Sequence, residues 1–318
     1  MIRGSFWLAW RQQRTAVAVG VTVLLAAAAL AAYSRSGMLD DLRSGLFDRC
    51  EPGPLYCTGP DGRILFLDID PLRYLGALNI ALPVLIGVFW GAPLLGRDRE
   101  LGTHRTVLAQ GVSRGQWFSS RLALAAVGTV ALSAVPAWLF AWWWQPAEDR
   151  SYGLFWYETS ALSGSGPRVV AGALFGLAAG TLLGLLCRRV LPAMGWTLLV
   201  TGVVTLVLEW THKARVLVAP HTYTSAGIAP KPAMGDKWAT GHYGLITADG
   251  HRVDVLTCPF PSGDELRQCM TQHRFVARFY EANPAGDYWV FQWTDTALLG
   301  GLALVLTLAA VLLLRRRV

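Results

Sequence analysis

Five of the six histidines, His212, His221, His242, His251 and His273, lie between residues 209 and 295, in the same stretch as Asp254, Cys258 and Cys269. A metal centre would need ligands at short, repeated spacings such as C-x2-C or H-x3-H. These histidines read instead as solvated loop side chains. Nucleotide hydrolysis would need a G-x-x-x-x-G-K-[ST] phosphate loop. The three lysines, Lys213, Lys231 and Lys237, follow His, Pro and Asp, so no such loop exists in this chain. His-Glu-x-x-His is also missing, and Ser163-Gly-Ser-Gly166 reads as an outer turn. No set of acid, base and nucleophile converges. The sequence therefore predicts neither an enzyme nor a metal protein, and work against a gradient would draw its energy from a partner.

The elements that must carry these residues are membrane spans. Hydrophobic residues make up 53% of the 318 and charged residues 15%, with 14 Trp. Soluble domains run at about 25% charged. A spanning helix needs about 20 mostly apolar residues, and six runs free of Asp, Glu, Lys and Arg qualify: 15–33, 74–95, 122–144, 169–187, 190–208 and 296–314. Each must be helical, because backbone groups in lipid have to be satisfied within the segment. With no carboxylate or base inside these runs, an ion- or proton-driven carrier is disfavoured. The first run is too long for a secretory leader and five others follow, so it reads as an uncleaved first helix.

Charge sets the orientation. With both termini cytoplasmic, the inner segments 1–14, 96–121, 188–189 and 315–318 hold 13 of the 28 Lys and Arg against two acids, Asp98 and Glu100. The longer outer segments are net acidic, as the positive-inside rule requires. Cys50, Cys57, Cys258 and Cys269 then share the oxidising side. They read as two disulfides with three possible connectivities, Cys50–Cys57 with Cys258–Cys269 being the local choice. Cys187 stays at the inner edge. Residues 1–14 place Ile2, Phe6 and Trp10 on one stripe, widened by Trp7, with Arg11 and Arg14 toward headgroups, as in a helix lying in the inner interface. Trp142, Trp143 and Trp144 read as an interface belt.

The expected fold is thus an all-α integral membrane protein. It has six transmembrane helices, cytoplasmic N- and C-termini and an N-terminal interfacial helix at 1–14. Helices 1–5 lie within 15–208, a small α/β outer subdomain at 209–295 sits between helices 5 and 6, and the last helix and basic tail occupy 296–318. In the subdomain, alternation on either side of Asp249-Gly250 predicts a hairpin, and 264–280 could be a short helix.

The dense inner loop, 96–121, carries the strongest signal. Arg97 and Arg99 flank Asp98, Glu100 follows, and Gly102 permits a sharp turn. Thr103 can cap a short helix from His104 to about Gln110, and Ser113 can cap the next one, which begins near Arg114. The stretch Arg99-Glu100-x-Gly102-Thr103-His104-Arg105, followed by Gln110-x-Val112-Ser113-Arg114-x-x-Trp117, resembles the membrane subunits of type-2 ABC exporters, in particular the Trp-rich actinobacterial permeases. Trp7-Leu8-Ala9-Trp10-Arg11-Gln12, Pro192-Ala193-Met194 and Tyr280-x-x-Asn283-Pro284 extend the likeness along the chain. Ala109 departs from it where many relatives carry Thr.

The resemblance implies a pore of two six-helix halves, the second permease half being a copy of the first, in the lipid of the plasma membrane. Two cytosolic ATP-binding cassette subunits would drive it, holding the ATP and Mg that this chain does not bind. Arg97, Arg99, Glu100, Gly102, Thr103, His104, Arg105, Ser113 and Arg114 would form the ATPase-coupling site, with Glu100 held by a basic or hydroxyl partner. Apolar spans with sparse polar groups suit efflux of a hydrophobic or amphipathic cargo, such as a drug, lipid or natural product; nucleic acid is not an expected partner. The alternative is a non-transporting sensor or assembly module that binds a ligand or partner through its outer segment.

Overall fold

A computed structural model describes residues 2–45, 51–52, 57–58, 64–65, 68–100, 114–147, 154–187, 189–214, 216–226, 237–254 and 264–317. The chain divides into two units, Met1–Trp210 with Gln292–Val318, and Thr211–Phe291. Six helices among the described residues are long and apolar enough to cross a membrane, one for each charge-free run.

The first unit opens with α1, Ile2–Arg43. The segment expected to lie in the interface and the first span form one unbroken helix, which also runs ten residues past the expected end at Tyr33. No proline interrupts it. Ala31 and Met38, seven residues apart and both buried, keep one face against protein after the apolar run has ended. Arg35 anchors that extension: its Nε donates to the Trp142 carbonyl (3.3 Å) and its guanidinium lies 4.1 Å from the Trp142 ring centre. Glu51–Pro52, Cys57–Thr58 and Ile64–Leu65 then form three short antiparallel strands, β1, β2 and β3.

The second span is α2, Asp70–Ile86, continued by a π-helical turn at Gly87–Gly91 and by α3, Ala92–Glu100. Pro83, which has no N–H to give, lies just before the widened turn. The turn pushes the Trp90 ring toward α4, Arg114–Trp144, where Gly128 leaves room for it. Trp143 and Trp144 are buried in protein rather than set in a lipid belt, and the Trp144 Nε1 donates to the Leu154 carbonyl (2.8 Å). A short helix, α5, Thr159–Leu162, and a buried turn lead into α6, Gly166–Leu186. Gly166 takes φ +70°, which a side chain would resist. In the segment before α5, burial and then the charge of Glu158 hold the Tyr157 phenol above its ordinary value of 10.0.

Helix α6 is the centre of the unit. Gly172, Gly176, Gly180 and Gly184 repeat every fourth residue, so they share one face. That face meets α2, the π turn and α3 with almost no side chain between the backbones. A Cβ at Gly176 would overlap the Pro83 carbonyl, one at Gly180 the Gly87 carbonyl, and one at Gly184 would lie 2.5 Å from the Ala92 carbonyl. The partner helix is built alike: Cβ atoms at Gly87 and Gly91 would fall 2.7 and 2.8 Å from the carbonyls of Gly176 and Leu177. Lipid tails are as apolar as leucine, so spans associate through such close packing rather than through a hydrophobic drive. Opposite this face, Ala171, Phe175 and Ala178 pack on Leu208 of α7, Val190–Lys213, and on Leu299 and Ala303 of α9, Tyr288–Arg317.

The second unit holds a four-stranded antiparallel sheet of order β4-β7-β5-β6, built from His221–Ala226, Trp238–Thr247, Arg252–Asp254 and Phe275–Asn283 as β4 to β7. The hairpin expected around Asp249-Gly250 joins β5 to β6, with Gly250 at φ +83°. The helix expected over 264–280 is halved. Only Asp264–Gln272, α8, is helical, and β7 follows as an inner strand between β4 and β5. Its Phe-Val-Ala-Arg-Phe-Tyr sequence suits a pleated strand better than a helix. Tyr223, Tyr280 and Tyr243 stand opposite one another across three strands, and Lys237 Nζ lies 4.4 Å from the Tyr223 ring centre.

Candidate functional site

Among its described residues, the inner loop makes a contact through Glu100. Arg97 and Glu100 are exposed on the last turns of α3. The Val190 backbone N–H donates to Glu100 Oε2 at 3.1 Å. Val190 opens α7, so Glu100 binds the positive end of that helix and satisfies one of its otherwise unpaired N–H groups. The sequence points to a basic or hydroxyl partner for this carboxylate; the partner in this structure is a helix N-terminus of the same chain. Arg99 and Arg114 have only their backbones described, in α3 and α4. Gly102, Thr103, His104, Arg105 and Ser113 lie outside the described residues. So do Cys50 and Cys258, while the side chain of Cys57 is not described and Cys269 is half-buried beside Leu245, Val253 and Phe275. Cys187 is a free thiol. Phe6, Trp7 and Trp10 lie within α1 with undescribed side chains, and Arg11 is exposed.

At the opposite end of the spans lies a cluster that the charge-free runs had excluded. The helices extend beyond those runs, and the extensions carry Arg168 on α6, Glu209 on α7 and Asp295 on α9. Arg168 Nη2 reaches Glu209 Oε1 at 3.0 Å, and its Nε reaches Asp295 Oδ2 at 2.8 Å. The three side chains are 6%, 17% and 2% exposed. Ser163, in the turn before α6, donates its hydroxyl to the same Glu209 oxygen. Gln292 completes the set: Oε1 accepts from the Arg168 N–H (3.4 Å) and Nε2 donates to the Leu162 carbonyl (2.6 Å). Charged groups at this depth are expensive unless paired and hydrogen-bonded.

The expectation of spans without ionisable groups is therefore corrected. Each run was ended at its first charge, yet the helix and its burial continue for several residues. A usable signal was present. Arg168 stands in the first turn of α6 and Glu209 in the last turns of α7, each with the wrong sign for its own helix dipole. Charges set against a dipole point to tertiary partners.

A second buried polar contact lies nearby. Asn79 of α2 is 1% exposed, and its Nδ2 donates to the carbonyls of Pro136 (3.3 Å) and Gly164 (2.7 Å). Toward the inner ends, Arg121 Nη1 donates to the Leu94 carbonyl (3.4 Å), with its guanidinium 4.7 Å from the Trp117 ring centre. Gly111-Val112-Ser113-Arg114-Gly115 spells the nucleophile-elbow motif, which works between a strand and a helix of a hydrolase sheet. The sheets among the described residues are antiparallel and lie elsewhere in the chain. Among the described residues, no three His, Cys, Asp or Glu side chains gather as metal ligands would.

The described residues combine four features. These are six spans, a backbone-packed central pair, an inner loop tied to a helix end, and a polar knot joining three helices at the other side. A family model described as "ABC-2 membrane transporter related" matches residues 21–213, which take in most of the first span, the next four spans and the loop between α3 and α4. No curated protein and no solved structure matches the chain. With the match spanning more than half of its length, this multi-pass membrane protein belongs to the ABC-2 membrane transporter related family.

Proposed function

We propose that the chain is the permease subunit of an ABC exporter and couples to a separate cytosolic ATP-binding cassette subunit. The family match over residues 21–213 carries this reading, because it includes the loop 97–114 along with four whole spans and most of the first. The chain supplies the pathway, and ATP with Mg binds in the partner. Two copies form the complete pathway in the plasma membrane. Closure of the ATPases moves residues 97–114 and switches the pathway between inward and outward access, a rigid-body transition between two states. The cargo is hydrophobic or amphipathic, in keeping with the apolar spans.

The test is recovery of the tagged full chain from its native cell in mild detergent, with partners identified by mass spectrometry. Wild type is expected to bring down an ATP-binding cassette subunit. Arg99→Glu with Arg105→Glu should lose it while the chain stays folded; these positions leave the Glu100 contact intact. An intact chain that recovers no ATPase would overturn the reading and favour the sensor or assembly role, with attention on the sheet of the second unit.

A further inference from the structure

Helix α7 is held by a carboxylate from another helix at its inner end, and offers its own carboxylate to another helix at its outer end. Glu100 accepts from the Val190 N–H at the first residue. Glu209, four residues before the end of the helix, is bound by Arg168 and Ser163. The two ties differ in kind. The first is favoured by the dipole of α7 and is exposed to solvent. The second opposes the dipoles of both helices that it joins, since Arg168 sits at the positive end of α6 and Glu209 near the negative end of α7. Nothing local to either helix would keep these two charges in place. Arg168 is moreover shared between two carboxylates on different spans, and its buried Nη1 has no hydrogen-bond partner.

We propose that Arg168, Glu209 and Asp295 form a releasable latch across the outer ends of α6, α7 and α9, and that α7 is the strut linking this latch to Glu100. Withdrawal of Glu100 from Val190, as the inner loop moves, frees α7 to shift along its axis and draws Glu209 from Arg168. The outer ends of the three spans then separate. Arg168 and Glu209 are positioning residues here, acting through the helices that carry them. The purpose assigned to the latch rests on the permease reading, but its existence can be tested on the chain alone.

The experiment is amide hydrogen exchange, read by mass spectrometry, on the full chain in lipid nanodiscs without any ATPase. Glu209→Gln should raise exchange in peptides covering 162–168 and 292–297 by roughly tenfold, as expected for weakening a charge-assisted buried bond. Should that variant fail to fold, Ser163→Ala removes one donor to the same carboxylate and should raise exchange in the same peptides by a smaller factor. Wild-type rates there in a folded variant would overturn the latch. Glu100→Ala should raise exchange at 189–194 and also, by roughly twofold or more, at the distant outer peptides, the lower range of coupling between separated sites. A rise confined to 189–194 would overturn the strut. Absence of an ATPase in the pull-down would remove the permease reading and leave these exchange results standing.

Discussion

The inner half of α6 and its outer end are held by opposite means. From Gly172 to Gly184 the helix meets its neighbours through glycines, with carbonyls of the partner helix where side chains would be. At Arg168, only four residues before Gly172, it is held by two carboxylates and a glutamine, while Ser163 donates to one of those carboxylates. The glycine face cannot accept an added atom. The polar knot cannot lose one. Close backbone packing gains from van der Waals contact and has no register to choose among charges. The ionic cluster gains little over an apolar alternative, because desolvation offsets its attraction, but loses heavily when one partner is removed. A joint of the first kind suits parts that travel together, and one of the second kind suits parts that must let go.

The largest test of that contrast is Arg168→Met, which removes the cation that pairs with both buried carboxylates, Glu209 and Asp295. Thermal unfolding of the purified chain, followed by intrinsic Trp fluorescence, should show a loss of about 3–5 kcal/mol. A loss no greater than that of an ordinary surface substitution would mean that the cluster is not the outer fastening. Next in size is Gly176→Ala. Its single added carbon meets the Pro83 carbonyl and should cost about 1–3 kcal/mol in the same assay. Gly195→Ala is its control: that glycine, on α7, has no atom within 4 Å of the added carbon. There the change should stabilise by roughly 0.5–1 kcal/mol through helix propensity. Equal effects at the two sites would break the comparison.

The smallest effect concerns Tyr157, near the outer knot in sequence but neutral. Its phenol titrates above 10.0 in the folded chain because burial disfavours the anion and Glu158 adds repulsion. A raised folded value means that the contribution is complete below the ordinary phenol range and is lost as pH rises through the folded value. Stability measured between neutral pH and strongly alkaline pH should fall less steeply for Tyr157→Phe than for wild type. Parallel profiles would assign the alkaline loss to other groups.

The six spans were legible because a charge-free run of membrane length has few alternatives. The same rule hid the outer cluster. Ending each run at its first charge placed Arg168, Glu209 and Asp295 outside the membrane domain, although the helices carry them into buried positions. Their sign relative to the helix ends was readable, and so was the four-residue glycine repeat, which the sequence spells plainly. What no sequence pattern supplies is which helix each of these faces. Glu100 is a similar case. Its charge and its neighbours marked it as a coupling residue, but its partner is a backbone N–H ninety positions away, and every residue except proline offers one. Likewise 264–280 read as one helix because its first half is polar and helix-forming. The switch to a strand at Phe275 depends on two neighbouring strands that lie far off in sequence.

Helix α1 has a consequence of another sort. It continues unbroken for 42 residues, about 63 Å, twice the thickness of the apolar layer it crosses. Val19, Val21, Leu25 and Leu30 are exposed along its length, so much of it is left uncovered by the rest of the chain. Such a rod behaves as a lever with its fulcrum in the bilayer. A tilt of roughly five degrees would carry each tip about 3 Å in opposite directions while the middle barely moves. A pull on the segment before the first span would therefore be felt beyond the opposite membrane face, beside the Trp142 ring over which Arg35 lies.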